Sequence, residues 1–397
     1  MVIGRPVAIY RDVLLAPSET FVRAQAEALT SFVPYYVGAR ATAGLELPAG
    51  RTLLVNQGTP GGRARELCFK ATGMAPALVQ RLRRLRPALI HAHFGPDALR
   101  ALPLARRLGA PLVATLHGYD VTMHAAELAR TGLAGARWVR HRGSVWREAA
   151  LVLAVSEFVR GKAIAQGCPP ERVVVHYTGV DLDFFQPIPG GVRRPIVLFV
   201  GRLVESKGCH HLIEAMRRVQ EIVPDAELVV IGDGPLRGGL EALARSELER
   251  WRMLGTQPLD VVRAWLARAR VLSVPGVTAA SGNTEGFGMV FAEAQAMGTP
   301  VAGYAHGGIP EAVADGQTGL LVPEGDRDAL ADRLALLLSD DVLWRHMSDA
   351  GRRRVRQQFD IRRQTARLQQ LYRHVLGEGP RPAAEPASAR PRQAVAG

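Results

Sequence analysis

The stretch that most constrains this chain runs from an apolar segment, Val271-Leu-Ser-Val-Pro275, into Asn283-Thr-Glu-Gly-Phe-Gly-Met-Val-Phe-Ala-Glu-Ala-Gln-Ala-Met-Gly298. The first reads as a strand. The second reads as a loop opening a helix from Met289, because Val290, Phe291, Ala294 and Met297 recur with helical spacing and Gly298 follows as a stop. Gly286 and Gly288 leave the backbone around Phe287 bare, so its N–H groups can approach a ligand closely. A helix start preceded by glycines attracts anions, since its unpaired N–H groups and its dipole act together. Glu285 in the loop and Glu293 in the helix add two carboxylates, acceptor-only groups that can grip vicinal hydroxyls. Together these suit a molecule made of a sugar, a diphosphate and a ribose. Taken alone, the loop reads equally well as a glycine-rich turn with two solvated glutamates.

The rest of the chain repeats the strand–loop–helix pattern, which predicts an α/β fold. A length of 397 residues allows two such domains with separate cores. Residues 186–195 are rich in Pro and Gly and read as the linker between them. Beyond the linker, Ile196-Val-Leu-Phe-Val200 is a buried strand, followed by Gly201-Arg-Leu-Val-Glu-Ser-Lys-Gly208. Arg202 and Lys207 in that one loop suit the clamping of a diphosphate, or are simply surface cations in a turn. Gly232-Asp-Gly234 follows another strand but has no third glycine at dinucleotide spacing.

Before the linker, Ser18 reads as the N-cap of a helix with Glu19 and Thr20 in its first turn. Ala88-Leu-Ile-His-Ala-His93 is a strand that puts His91 and His93 on one face at its carboxyl end, the rim where α/β sheets bind ligands. Two histidines with no nearby carboxylate or cysteine are a poor metal site, and no metal is expected. Pro111-Leu-Val-Ala-Thr-Leu-His117 ends in the same way, with Gly118 and Asp120 after it. His117 can donate to a sugar hydroxyl or a developing oxyanion, or serve structurally. A helix over 134–148 mixes Trp138 and Trp146 with arginines, a composition that suits either a membrane interface or a core.

The 283–298 stretch resembles the Glu-x(7)-Glu signature of the family-4 retaining glycosyltransferases, which have the GT-B fold. Thr178-Gly-Val-Asp181 and Tyr304-Ala-His-Gly-Gly-Ile-Pro-Glu311 resemble further turns of that family, and Ala16-Pro-Ser-Glu-Thr-Phe21 resembles its bacterial exopolysaccharide, colanic-acid-type members. These members lack the glycine-rich loop that many relatives carry after the first strand. The resemblance implies two Rossmann-like domains facing across a cleft. Residues 1–187 would bind the acceptor, completed by a last helix over 361–376 that crosses back to them. Residues 188–359 would bind the nucleotide sugar. It implies that Glu285 holds the donor sugar, Glu293 the ribose, and Arg202 and Lys207 the leaving diphosphate. Gly201, Gly232, Gly234, Gly286, Phe287, Gly288 and Met289 would line the donor site. His117 would act with Arg202, Lys207 and Glu285 in catalysis, and Glu19, Thr20, His93 and Asp120 would face the acceptor. No cofactor or essential metal is implied, and no Asp-x-Asp pair stands in the loops assigned to the diphosphate, 201–208 and 283–288.

Composition narrows the competing classes. Hydrophobic content of 47% with 22% charged residues is ordinary for a globular protein. There is no apolar run long enough to cross a bilayer and no signal-peptide layout, so a cytoplasmic location is expected. Cys68, Cys168 and Cys209 are too scattered for a disulfide framework or a zinc spacing. The net charge of +13, concentrated before the linker, suits an anionic membrane surface better than nucleic acid, for which no module is present. The last residues, 377–397, read as a disordered basic tail. A non-catalytic scaffold of the same fold, a glycosyl phosphorylase and a dinucleotide-dependent oxidoreductase are the alternatives. The last lacks its Gly-x-Gly-x-x-Gly turn.

Overall fold

A computed structural model of the protein describes residues 4–42, 44–188 and 190–384. The chain divides into two compact units: residues up to Gly179 with those from Ile361 on, and Val180–Asp360. In the main sheet of the first unit the strands are β1 (Arg5–Tyr10), β2 (Phe32–Gly38), β3 (Thr52–Leu54), β4 (Ile90–His93), β5 (Leu112–Leu116), β6 (Leu151–Ala154) and β7 (Val173–Val175). They pair in the order β3-β2-β1-β4-β5-β6-β7, all parallel. In the second unit they are β8 (Arg194–Val200), β9 (Glu227–Ile231), β10 (Trp251–Met253), β11 (Ala269–Leu272), β12 (Val301–Tyr304) and β13 (Gly319–Val322), in the order β10-β9-β8-β11-β12-β13.

Both sheets are therefore wound outward from their first strand, the doubly wound arrangement of dinucleotide-binding folds. The sequence reason is visible in β5 and β6, whose residues are all buried. Strands covered on both faces read as continuous apolar runs and pair in parallel. Winding in two directions opens a crevice beyond the carboxyl ends of the first and fourth strands of each sheet, between β1 and β4 and between β8 and β11. Ligands of such sheets bind at those switch points.

Around the first sheet lie α1 (Thr20–Glu27), α2 (Pro76–Leu85), α3 (Gly95–Leu108) and α4 (Leu133–Glu148). In the second unit α5 (Cys209–Ile222) follows the loop after β8, and α6 (Met289–Ala296) follows the signature loop. The final helix, α7 (Ile361–Val375), returns to the first unit as the GT-B resemblance implies. Leu368, Leu371 and Tyr372 sit in one apolar cluster with Val7, Ile9, Tyr36 and Leu151. His91 clips the helix down: its Nδ1 lies 2.6 Å from the Tyr372 hydroxyl and its Nε2 2.6 Å from Thr115 Oγ1. Beyond α7, Arg5 pairs with Glu378 at 2.6 Å and Arg381 donates to the Glu171 carbonyl, so residues 377–384 are held against the unit. The remainder of the expected tail, 385–397, lies outside the described residues.

One local expectation fails and one open alternative is decided. Ser18 does not cap a helix: it is exposed within a 3-10 turn, Pro17–Glu19, closed by Glu19 N–H donating to the Ala16 carbonyl, and α1 starts only at Thr20. The side chain of Glu19 is drawn instead to Arg11. The tryptophans of α4 are not an interfacial pair either. Trp138 and Trp146 are 0% and 3% exposed, packed edge to face at 5.2 Å, and their indole N–H groups donate to the carbonyls of Asp120 and Gln166. Gly95 makes room for Trp138, since a Cβ there would stand 2.4 Å from its ring. A hydrogen-bonded indole in a packed core is the ordinary outcome for an aromatic on a helix that faces its own sheet.

Candidate active site

In the second unit four loops meet beyond the carboxyl ends of β8, β9, β11 and β12, at the switch point. They interlock main chain to main chain, which only glycine permits. Gly208 has φ +64°, and a Cβ on it would lie 1.8 Å from the Pro275 carbonyl oxygen. A Cβ on Gly308 would lie 1.9 Å from the Gly286 oxygen, and Gly308 N–H donates to the Glu285 carbonyl at 2.9 Å. Gly232 and Gly234 stack the first two loops together in the same way, since a Cβ on them would lie 1.9 Å from the Gly201 oxygen and 2.5 Å from the Leu203 oxygen; Gly201 itself has room for a Cβ.

The loops bring Lys207 and Glu285 together: the ammonium is ion-paired to the carboxylate, with side chains 24% and 12% exposed. Arg202 is exposed and has no ion pair among the described residues. Met289 is half-buried at the start of α6, behind the left-handed Gly288. Glu293, on the next turn, has no ionic partner among the described residues, and desolvation pushes its carboxyl up to about 7. Phe287 departs from the expected donor contact. Its ring is 3% exposed and packs against Phe359 at 5.2 Å, so the ring itself is not presented to a ligand.

Several residues that fix this loop carried no sequence signal. Asn283 donates to Ser206 Oγ at 3.2 Å, and Ala280 N–H to Glu205 at 3.1 Å. Glu324 accepts from Thr278 N–H at 2.6 Å and lies 2.7 Å from His306 Nδ1. Except for the Glu324–His306 pair, these tethers join positions more than 40 residues apart, and no local pattern announces them.

At the switch point of the first unit, His117 is half-buried, its Nε2 3.1 Å from His93 Nδ1 and its ring 5.3 Å from that of His93. Burial first, then the nearby Arg11 and His91, hold its pKa well below the ordinary value, so the ring is neutral. His93 and Asp120 do not face solvent as acceptor contacts would. His93 is 2% exposed and stands behind His117. Asp120 is 0% exposed and accepts from the N–H groups of Gly95 and Gly118, both at 2.9 Å, tying the ends of β4 and β5 together. His91 is likewise buried rather than on a rim. Thr20 is partly exposed, and Glu19 grips Arg11 with both carboxylate oxygens. Arg11 also pairs with Asp97 and lies over the Phe94 ring at 4.3 Å. Phe94 itself has φ 70° and ψ 141°, close to a region that only glycine occupies freely and that costs a bulky residue about 1–3 kcal/mol. Among the described residues no group of three His, Cys, Asp or Glu side chains is placed to hold a metal ion.

Residues 183–354 match the family model for glycosyl transferases group 1, and residues 18–184 match that for glycosyltransferase family 4. A GDP-mannose-dependent alpha-(1-6)-phosphatidylinositol monomannoside mannosyltransferase of Mycolicibacterium smegmatis is 34% identical over 75% of this chain and 80% of its own length. The chain belongs to glycosyltransferase family 4. The putative colanic acid biosynthesis glycosyltransferase WcaL of Escherichia coli is 36% identical to this family-4 enzyme over 62% of this chain, a region that spans 60% of the relative. Among solved structures, Anabaena HepE in complex with UDP-glucose superposes with a TM-score of 0.71 at 21% identity, covering 92% of this chain and 99% of that one, and so shares the fold.

Proposed function

We propose that the enzyme transfers a sugar, with retention of anomeric configuration, from a nucleotide diphosphate sugar to a saccharide or lipid-linked acceptor in cell-surface polysaccharide biosynthesis. The observation that carries this reading is the Lys207–Glu285 pair set beside the glycine-lined amides of residues 286–288, with Glu293 one helical turn away. The names of the relatives support it: one uses GDP-mannose, another belongs to colanic acid biosynthesis, and the Anabaena structure holds UDP-glucose. Breaking the anomeric bond develops positive charge on the sugar and negative charge on the departing diphosphate. Lys207 and Arg202 supply fixed positive charge to meet that negative charge. In the free enzyme Lys207 neutralises Glu285. With donor bound, the ammonium is shared with phosphate, and Glu285 is released to accept from sugar hydroxyls. Because these charges are supplied by the protein, the reaction needs no divalent ion. The test is consumption of UDP-, GDP- and ADP-sugars in EDTA. Turnover of none of them overturns the reading, and turnover restored only by Mg²⁺ or Mn²⁺ overturns its metal-free part.

Glu293 supplies a pH signature. As a carboxylate it accepts from both ribose hydroxyls, but in the free enzyme burial holds its pKa near 7. The raised pKa means that the folded free enzyme holds a proton the unfolded chain loses between the ordinary carboxylate range and pH 7, so in that window this group destabilises the fold as pH rises. Nucleotide binding reverses the preference. Affinity for free nucleotide should rise as pH approaches about 7 and then level off, with proton release on binding below that point. Glu293→Ala should weaken binding by about 1.5–3 kcal/mol and flatten the profile. Calorimetry in buffers of different ionisation enthalpy reads both.

We further infer that the first unit adheres reversibly to anionic lipid on the cytoplasmic face. With the tryptophans buried, the surface carrying this is α2 and the residue after it, where Arg81, Arg83, Arg84 and Arg86 are all exposed opposite buried Leu78, Val79 and Leu82. Each such arginine contributes about 1 kcal/mol near an anionic surface. No described helix is long and apolar enough to cross a membrane. Replacing these four by glutamate should abolish co-sedimentation with anionic liposomes at low salt. Equal binding of the wild type to neutral vesicles would overturn the electrostatic account.

A further inference from the structure

The switch point of the first unit carries a constellation that the leaving-group chemistry does not use. Arg11 follows β1 directly, and Phe94 follows β4. The Phe94 ring lies 4.3 Å from the Arg11 guanidinium, 4.4 Å from the His117 ring and 5.4 Å from the Tyr119 ring, while Phe21 meets His117 at 5.1 Å. The run ends in Tyr119, which is 36% exposed although its sequence neighbours Gly118 and Asp120 are buried. At its polar edge stand Arg11 and Glu19, whose side chains are 14% and 11% exposed and locked to each other.

The Phe94 backbone is the unusual feature. Its positive φ is imposed from several sides: Phe94 N–H donates to the Thr115 carbonyl at 2.7 Å, Gly95 N–H donates to buried Asp120, and the ring is held under Arg11. Glycine would adopt this conformation without steric cost. Strain retained in a bulky residue marks a place where the position of the side chain matters. The position gained is at the mouth of the switch-point crevice, with an aromatic surface beside a paired cation and carboxylate. An anion is poorly served, because Glu19 and Asp97 already balance Arg11. A wholly apolar ligand would bury that charged edge without partners. A pyranose ring satisfies both halves: its C–H face meets the negative face of an aromatic ring, and its hydroxyls reach the carboxylate and guanidinium.

We propose that Tyr119, backed by Phe94, forms the stacking platform, and Glu19 with Arg11 the hydroxyl-binding edge, of a subsite for the terminal hexopyranose of the acceptor. This rests on the sugar-transfer reading above and adds to it the mode of acceptor recognition. The test is an NMR saturation-transfer titration of the full chain with methyl α-mannopyranoside and methyl α-glucopyranoside, alongside calorimetric titration with UDP, GDP and the corresponding nucleotide sugars. At least one glycoside should bind the wild type. Tyr119→Ala should weaken it about fivefold or more, while Tyr119→Phe keeps the ring and the affinity. Free nucleotide, which reads the second unit, should bind all three proteins alike. No glycoside binding to the wild type, or binding indifferent to Tyr119→Ala, overturns the proposal. So does a variant that loses affinity for nucleotide sugar but not for glycoside, since the stacked ring would then be the donor's. Failure of the wild type to bind any nucleotide would instead count against the transfer reading, and the two results are read separately.

Discussion

Arg202→Ala and Lys207→Ala should each lower kcat roughly a hundredfold or more, because the charge they face is largest when the diphosphate is leaving. The two variants should differ in how they fail. Arg202 is exposed and makes no ion pair among the described residues, so its removal deletes a donor to phosphate and disturbs little else. Lys207 is paired with Glu285 in the free enzyme. Its loss also leaves a largely buried carboxylate uncompensated, which raises the cost of bringing a second negative charge beside it. Donor affinity should therefore fall in Lys207→Ala as well as kcat, whereas in Arg202→Ala the loss falls mainly on kcat. Steady-state kinetics over donor and acceptor concentrations separate these quantities. A change confined to the Michaelis constant for the acceptor, in either variant, would show that neither residue meets the leaving group.

Gly308→Ala should disable the donor site while the fold stands. The added methyl would sit 1.9 Å from the Gly286 carbonyl oxygen and 2.6 Å from its carbon, both main-chain atoms that cannot swing aside. The main chain of Gly308 has φ −87°, which alanine adopts without strain, so the effect is purely one of space. Relief requires the turn after β12 and the signature loop to part, which moves Glu285 and the amides of residues 286–288 together. Overpacking of this kind costs about 1–3 kcal/mol. In the proposed reading the displaced atoms hold the donor, so nucleotide affinity should drop by at least the same factor, roughly tenfold or more. The contrast is Gly238→Ala in the second unit, where nothing lies within 4 Å of the new methyl and no loss is expected. Unchanged nucleotide binding in Gly308→Ala would mean that the two loops are not coupled as described.

Sequence alone carried the second unit far, because its information is local. Ile196–Val200 announces its strand as an apolar run, and α6 begins at Met289 where the glycines place it, whereas the strand expected over 271–275 lies at Ala269–Leu272. Glu285 and Glu293 lie eight residues apart across one loop and one helical turn, so their nearness in the chain was legible, while the course of the loop depends on the distant tethers. The return of α7 to the first unit was legible only through resemblance, since nothing within residues 361–375 says which sheet will cover Leu368 and Tyr372. Tertiary structure decided the rest. Whether Trp138 meets lipid or core depends on Gly95, 43 residues earlier in the chain. Whether His93 meets an acceptor or stands behind His117 depends on how β4 and β5 align, and whether Asp120 binds a sugar or ties loops depends on N–H groups left free at Gly95 and Gly118. Arg11 and Phe94 offered no motif at all. A charge becomes part of a site when other chain segments bury and balance it, and those segments, around Glu19 and Asp97, are brought to it only by the winding of the sheet.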